Sequence, residues 1–313
     1  MARRRKMTKK KFVRYVAIAV TVVCLLVELI GYIPGIAFNG WSDIAAAVGM
    51  KNPTVTAEGE LEVHFIDVGN ADAIFVRQED KTLLIDAGES TTYNDLQWYL
   101  EDYGVTHLDM VIATHPHADH IGGMAKVLEH FSVGQFIMSF MPESATPTTN
   151  TYLRMLEVLD EKDIPICEAK VGDVYELGTA RLQILGPIEE TTEKNDMSVV
   201  TRLTFGERAF LFTGDAESGV EKQLVNSGYD LSADVMKLGH HGSKTSNSSL
   251  LLKHVSPQCV VATCGADNDY GHPHKEVLKR LDAMDITLYR ADISGNIVIT
   301  TDGETFTVET EKG

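Results

Sequence analysis

From Leu61 onward the chain alternates short apolar runs with turns. LEVHFIDVG, DAIFVRQ, KTLLIDAG and LDMVIATH are β-type runs divided by Gly, Asp or charged residues. Between the third and fourth, YNDLQWYLEDYG sets Leu96, Tyr99, Leu100 and Tyr103 at helical spacing and stops at Gly104. GGMAKVLEHFS predicts a second helix. TNTYLRMLEVLDEKD predicts a third, with Tyr152, Met155, Leu156 and Leu159 on one face. The second half repeats this texture in RLQILGP, SVVTRLTFG, RAFLFTGD, ADVMKLGH, QCVVATCG, ITLYRA, GNIVITTDG and ETFTVET, with helices AESGVEKQLVNSG and HKEVLKRLDAMD between some of them. Strands alternating with helices through both halves predict a layered α/β architecture. No solenoid-type repeat or low-complexity tract interrupts it.

The start of the chain has another pattern. Between Lys11 and Asp43 only Arg14 and Glu28 are charged. A helix over roughly Tyr15 to Ile33 would reach about 28 Å at ~1.5 Å per residue, close to a bilayer core of ~30 Å. The expected organisation is a basic cytoplasmic segment 1–14, a transmembrane signal anchor 15–34, a Gly/Ser/Asn/Pro-containing linker 35–59, and a globular domain 60–312 outside the membrane. A cleaved secretory signal is the alternative. It fits less well, because the apolar stretch exceeds the usual core of ~7–15 residues and shows no small-x-small site before Pro34. Glu28 falls near the outer end of the span, where a carboxylate reaches the interface.

Composition narrows the class. With 44% hydrophobic and 23% charged residues in 313, the chain can bury a real core. The net charge is −17, yet residues 1–14 hold eight of the 28 Lys and Arg and no acid. The remainder carries 20 basic against 45 acidic side chains, a balance of −25. Such a surface repels polyanions, so no stable nucleic-acid complex is expected. Of the four cysteines, Cys24 falls in the apolar span. Cys167, Cys259 and Cys264 are an odd number, read as buried thiols, with Cys259 and Cys264 on opposite faces of one strand.

The chemistry concentrates in THPHADHIGG. At a strand end, His115 and His117 point the same way and can grip one ion. As the chain turns into a helix, Asp119 and His120 can hold a second. Imidazoles with a hard carboxylate suit zinc first, manganese or iron less so. FLFTGDAE ends on Asp215, which can bridge two ions or merely cap the next helix. VMKLGHHGSKTSNSS supplies His240 and His241. Adjacent residues of an extended chain point apart, so one of the two is expected on metal and the other on substrate or behind the ligands; which is which stays open.

In order, IDVG, HPHADH, TGDAE and GHHGS resemble the metallo-β-lactamase fold superfamily. GHHGSKTS followed by YGHPH is similar to the C-terminal hydrolase domain of the ComEC competence family, over about residues 60–310. The resemblance implies a four-layer αββα sandwich with two divalent ions, zinc or manganese, at one rim. It implies His115 and His117 at the first ion, Asp119 and His120 at the second, Asp215 bridging and His240 as the last ligand. It also implies that Asp119 orients the attacking hydroxide and that Asp67 and Asp86 support the ligands without touching metal. Two departures stand out. Between HPHADH and Asp215 there is no further histidine, only Asn195 and Ser198, and the first turn reads DVGNAD where the family pattern is closer to DVGQGD. The multispan channel region of ComEC is also missing from this sequence, so a channel is not expected.

A bound divalent ion lowers the pKa of its water from ~15.7 towards ~7. Lys244, Ser243, His241 and His272 are the candidates to meet substrate and developing charge, with His274 read mainly as part of a turn around Pro273. The expected function is a membrane-anchored, extracytoplasmic metal-dependent hydrolase of phosphodiesters, whether DNA, a nucleotide or a wall or lipid component. The missing histidine argues against β-lactams. The alternatives are a non-catalytic metal-binding partner module, or a hydrolase of a carboxylic ester, lactone or amide. Oligomeric state is not readable.

Overall fold

Strands form where β-branched and aromatic residues can face an apolar layer, and the computed structural model, which describes residues 59–312, stacks them in two sheets. Segments 1–14 and 15–34, and nearly all of 35–59, with the anchor and linker expected there, lie outside the described residues. Among the described residues no helix is long and apolar enough to cross a membrane.

β1 (Leu61–Phe65), β2 (Ile74–Gln78) and β3 (Lys81–Ile85) pair antiparallel with one another, and β4 (His107–Ala113), β5 (Ser132–Met138) and β6 (Ile166–Glu168) continue that sheet from β3 in parallel. β7 (Val174–Leu177), β8 (Ala180–Gly186), β9 (Val200–Phe205) and β10 (Arg208–Phe212) begin the second sheet antiparallel, and β11 (Val235–Lys237), β12 (Cys259–Ala262) and β13 (Thr287–Arg290) extend it in parallel. β14 (Ile297–Thr301) and β15 (Phe306–Thr310) return to the first sheet beside β1, giving the orders β15-β14-β1-β2-β3-β4-β5-β6 and β13-β12-β11-β10-β9-β8-β7.

The helices are α1 (Tyr93–Asp102), α2 (Ala118–Ile121), α3 (Met124–His130), α4 (Asn150–Glu161), α5 (Ser218–Asn226), α6 (Ser249–Val255), α7 (Lys275–Ala283) and α8 (Ala291–Ser294). Three apolar layers bind these elements. Phe65, Ile85, Ile112, Phe210 and Phe212 meet between the sheets. Leu96, Leu100, Val127, Leu128, Met155 and Leu159 cover the outer face of the first sheet, and Val220, Leu224, Leu251, Leu252, Val277 and Leu281 that of the second. This is the expected αββα sandwich.

β5, β6, β7 and α6 escaped the hydrophobic pattern. β5 is exposed at Ser132 and Gly134 and buries only its last three residues. At Gly134 a Cβ would sit 2.6 Å from the Asp109 carbonyl, so glycine is what lets β5 lie against β4 there. β6 is a three-residue edge strand with both ends exposed. α6 is hidden in the polar tail SNSS, whose Ser248 hydroxyl accepts the Leu251 N–H and so caps it. Cys259 lies in the layer between the sheets and Cys264 in the outer layer, on opposite sides as expected; burial pushes both thiols up to about 12.

In both sheets the parallel strands deliver their connecting loops to one rim. The loops after β3, β4, β10, β11 and β12 carry Asp86, residues 114–123, Asp215, His240 and His241, and His272 respectively.

Candidate metal centre

The histidine loop leaves β4 after Ala113. His117, with extended backbone, caps α2, and its carbonyl accepts the N–H groups of His120 and Ile121. Asp119 and His120 are therefore presented from the first turn of a helix while His115 and His117 come from extended chain. Gly122 and Gly123 allow this turn to sit on the loop after β3. A Cβ on Gly122 would meet the Ser90 nitrogen at 2.5 Å, and one on Gly123 the Ala87 carbonyl oxygen at 2.4 Å.

Asp86 anchors the loop from below. Its carboxylate accepts the Thr114 N–H at 2.8 Å and the Thr114 hydroxyl at 2.6 Å, and it pairs with His120 Nδ1 at 2.7 Å. With Nδ1 engaged, His120 Nε2 faces Asp215 Oδ2 at 3.3 Å. That carboxylate oxygen is ringed by imidazoles: Nε2 of His240 and of His241 each lie 3.7 Å away, and His115 Nε2 lies 3.9 Å away. Asp119 Oδ2 approaches His241 Nε2 at 3.3 Å and His120 Nε2 at 3.9 Å. His117 joins through Nδ1, 3.1 Å from His115 Nε2.

Electrostatics divide the histidines into two kinds. Burial, with His120 adjacent, holds His115 well below its ordinary pKa, and burial lowers His117 too. Both therefore offer lone pairs at neutral pH. Burial also disfavours charge on His120 and His241, but Asp215 with Asp86 raises His120 well above the ordinary value, and Asp215 with Asp72 and Asp119 raises His241 to about 9. The carboxyls answer in kind. Against burial, His241 and His120 hold Asp119 far below the usual carboxylate range, and His120 and His241 do the same for Asp215.

This donor set fits divalent metal. Ligand atoms of Asp119, His120, Asp215 and His241 all lie within 4.8 Å of one another, and His120 Nε2 is buried without a hydrogen-bond partner. Leaving such atoms unpaired is costly unless a cation completes them.

The expectation that His240 and His241 point apart assumed extended chain. Instead both occupy left-handed backbone, His240 at φ 52 and His241 at φ 54, and the turn brings both rings to Asp215. Asn247 holds this conformation from beneath: its side chain pairs with both the N–H and the C=O of Gly239 at 2.8 Å and donates to the Ser243 carbonyl at 3.2 Å. His241 is buried and its Nδ1 bonds the Thr263 carbonyl at 2.9 Å; His240 is more open and sits 3.6 Å from Glu217 Oε1.

Four other candidates fall differently. Asp67 does not reach the histidines; its carboxylate takes the Gly69 N–H and the Lys312 ammonium, both at 3.4 Å. The support expected of it comes from Asp72, five residues on, which closes on His241 Nδ1 at 3.3 Å. Ser243 is buried in its own turn, 3.1 Å from the Thr245 hydroxyl, and Lys244 is exposed with its N–H given to His274 Nδ1 at 3.1 Å. Neither lines the cleft. His272 does, together with Asn70, His117, Asp119, Asn195, Asp215, His240, His241 and Tyr270, around a volume of about 320 Å³. Burial and the neighbouring His241 and His240 lower His272 to about 4, which keeps it neutral.

Asp72 and Lys237 were missed. The signals were present: a second aspartate inside DVGNAD, and a lysine inside the apolar run VMKLG. Ser198 stands in the stretch that lacks a histidine. Its hydroxyl accepts the Asp215 N–H at 3.0 Å and lies 3.4 Å from His115 Nδ1, so it orients ligands without adding one.

Comparison with known proteins agrees with this geometry. Residues 66–262 match the pattern described as Metallo-beta-lactamase superfamily. ComE operon protein 3 of Bacillus subtilis is 30% identical over 266 residues, covering 78% of this chain and 33% of that protein. Competence protein ComA of Neisseria gonorrhoeae is 30% identical over 265 residues, covering 83% of this chain and 35% of that one. The chain thus spans about a third of the length of these relatives. Among solved structures, the metallo-beta-lactamase fold protein YhfI from Bacillus subtilis superposes with a TM-score of 0.51 at 15% identity, over 77% of this chain and all of that one, a likeness of fold.

Proposed function

The chain belongs to the metallo-beta-lactamase superfamily, and on that premise we propose that it is a metal-dependent phosphodiesterase, anchored by residues 15–34 and acting outside the membrane. The observation that carries the reading is the convergence of Asp119, His120, Asp215 and His241 within 4.8 Å, with the buried Nε2 of His120 left unpaired.

His115, His117 and His240 would hold one ion and Asp119, His120 and His241 the other, with the Asp215 carboxylate, which faces His115, His120, His240 and His241, available to either. Zinc suits these donors first and manganese next. Divalent ions there supply an acidified water and a positive charge at phosphorus. Asp119, partly exposed and ionised, lies at the cleft wall, where it accepts a hydrogen bond from the attacking water and orients it. His272, neutral and buried at the same wall, hydrogen-bonds the phosphoryl or leaving oxygen. Asn70 and Asn195 each carry an unpaired Oδ1 beside the cleft and accept hydrogen bonds from substrate hydroxyl or amino groups.

The balance of −25 beyond residue 14 favours a small phosphodiester, or a phosphorylated wall or lipid component, over a long polymer. The two competence relatives make DNA the substrate to test beside it. The test uses the purified full chain: bound metal is measured, then bis(p-nitrophenyl) phosphate, DNA and a β-lactam are assayed, with and without Asp119→Asn. Turnover of a phosphodiester that falls about 10²–10⁴-fold in the variant is expected. Metal bound without turnover of any phosphodiester refutes the hydrolase, and turnover indifferent to Asp119→Asn refutes the role given to Asp119.

A further inference from the structure

Lys237 is 1% exposed, an ammonium closed inside the rim of the sandwich on the last residue of β11. Its Nζ pairs with Asp72 Oδ2, donates to the Gly214 carbonyl at 3.0 Å and lies 3.6 Å from Asp215 Oδ1. A buried charge is retained only where its partners are fixed around it. Here those partners come from both sheets: Asp72 precedes β2 of the first, while Asp215 and Lys237 belong to the second.

Each partner is itself tied to a candidate ligand. Asp72 accepts the Thr263 hydroxyl, lies 3.3 Å from His241 Nδ1 and 3.6 Å from His120 Nδ1, and its N–H is given to the Asp119 carbonyl at 3.1 Å. Asp215 is divided between two surroundings. Oδ1 faces the ammonium, whereas Oδ2 faces Nε2 of His115, His120, His240 and His241.

We infer that Lys237 is a positioning residue that assembles the metal centre before any metal arrives. Its ammonium, fixed between the two sheets, holds the Asp72 and Asp215 carboxylates in place when no other cation is near. By occupying the side of Oδ1, it leaves Oδ2 as the oxygen presented to metal. Through Asp72 it also holds His241 with Nε2 turned inward. The inference rests on the reading of these histidines and aspartates as ligands, but not on the reaction they serve.

The experiment measures metal binding by the metal-free full chain, by titrating zinc in competition with a chelating dye and recording the visible d–d spectrum with cobalt. Lys237→Met keeps the length and removes the charge; Asp72→Asn removes the partner. Each single variant is expected to bind about tenfold or more weakly with an altered cobalt spectrum. The double variant should be no worse than the weaker single one, because both changes break the same contact. Lys237→Arg should recover part of the affinity. If Lys237→Met does not fold, circular dichroism reveals it, and Asp72→Asn and Lys237→Arg are read alone by the same spectrum. Folded variants with unchanged affinity and spectrum overturn the inference, as do losses that simply add. A wild-type chain that binds metal but cleaves no phosphodiester removes the proposed activity and leaves this inference standing.

Discussion

Asp86 fixes His120: the 2.7 Å contact between the carboxylate and Nδ1 leaves Nε2 as the nitrogen that faces Asp215 at 3.3 Å. Thr114 secures the other side of that carboxylate through both its N–H and its hydroxyl, so the ring is held by strand, hydroxyl and carboxylate together. Replacing Asp86 by Asn is expected to weaken metal binding by about 10–100-fold, the usual cost of losing a carboxylate behind a ligand histidine. Equilibrium titration of the metal-free variant checks it, and unchanged affinity would show that the contact is not needed.

The pH dependence has a defined sign. The folded pKa of His241 is raised to about 9, above its ordinary ~6.5. Protonated His241 therefore stabilises the metal-free fold fully below about pH 6.5, and this contribution is lost as pH rises towards about 9. Metal requires the unprotonated ring, so affinity should climb over the same window. Thermal melts of the metal-free chain from pH 6 to 10 test the first point and metal titrations the second. In His241→Gln the stability slope should flatten; an identical slope would exclude His241 as its source.

Asn247 is fully buried, and its side chain bonds Gly239 and Ser243 of the loop that carries the two histidines. Asn247→Ala strands the N–H and C=O of Gly239 and is expected to destabilise the fold by roughly 1–3 kcal/mol per unpaired group. Because the left-handed turn at His240 and His241 relaxes with it, metal affinity should fall as well. Denaturant melts and metal titration report the two effects separately, and loss of stability without loss of affinity would show that the turn holds itself.

Gly122→Ala tests the close approach beneath the histidine loop. The added methyl would meet the Ala118 carbonyl oxygen at 2.3 Å and the Ser90 nitrogen at 2.5 Å, backbone atoms that cannot rotate away. Overpacking of this kind costs about 1–3 kcal/mol. A midpoint shift in chemical denaturation is the readout, and a neutral substitution would place the α2 turn farther from the Ser90 segment.

Phe212 ends β10 three residues before Asp215, and its ring lies 6.3 Å from that of Phe65 across the layer between the sheets. Phe212→Ala is expected to cost about 3–5 kcal/mol. The same denaturant experiment measures it, and a cost below about 1 kcal/mol would mean that the sheets repack around the gap.

Local pattern determined a great deal. Apolar periodicity marked most strands and five helices, and the HPHADH stretch announced metal chemistry, because ligands two residues apart on extended chain, or on the first turn of a helix, share a direction set by local backbone geometry. The alternation of strands and helices likewise carried the layered architecture. What it missed were segments with little apolar alternation of their own, such as β5, which buries only its second half, and the short edge strand β6, exposed at both ends.

Only tertiary structure decided the rest. Asp72 rather than Asp67 reaches the histidines because β1 and β2 bring that turn against the end of β12, a pairing written nowhere near either residue. His240 and His241 both reach Asp215 because Asn247 and Gly214 hold a left-handed turn that local propensity disfavours. Lys237 reads as one charge in an apolar run until two sheets close around it. Residue type and spacing determine which chemistry is available, but which oxygen or nitrogen faces which is settled by contacts distant in sequence, whose energies exceed the local preferences they override.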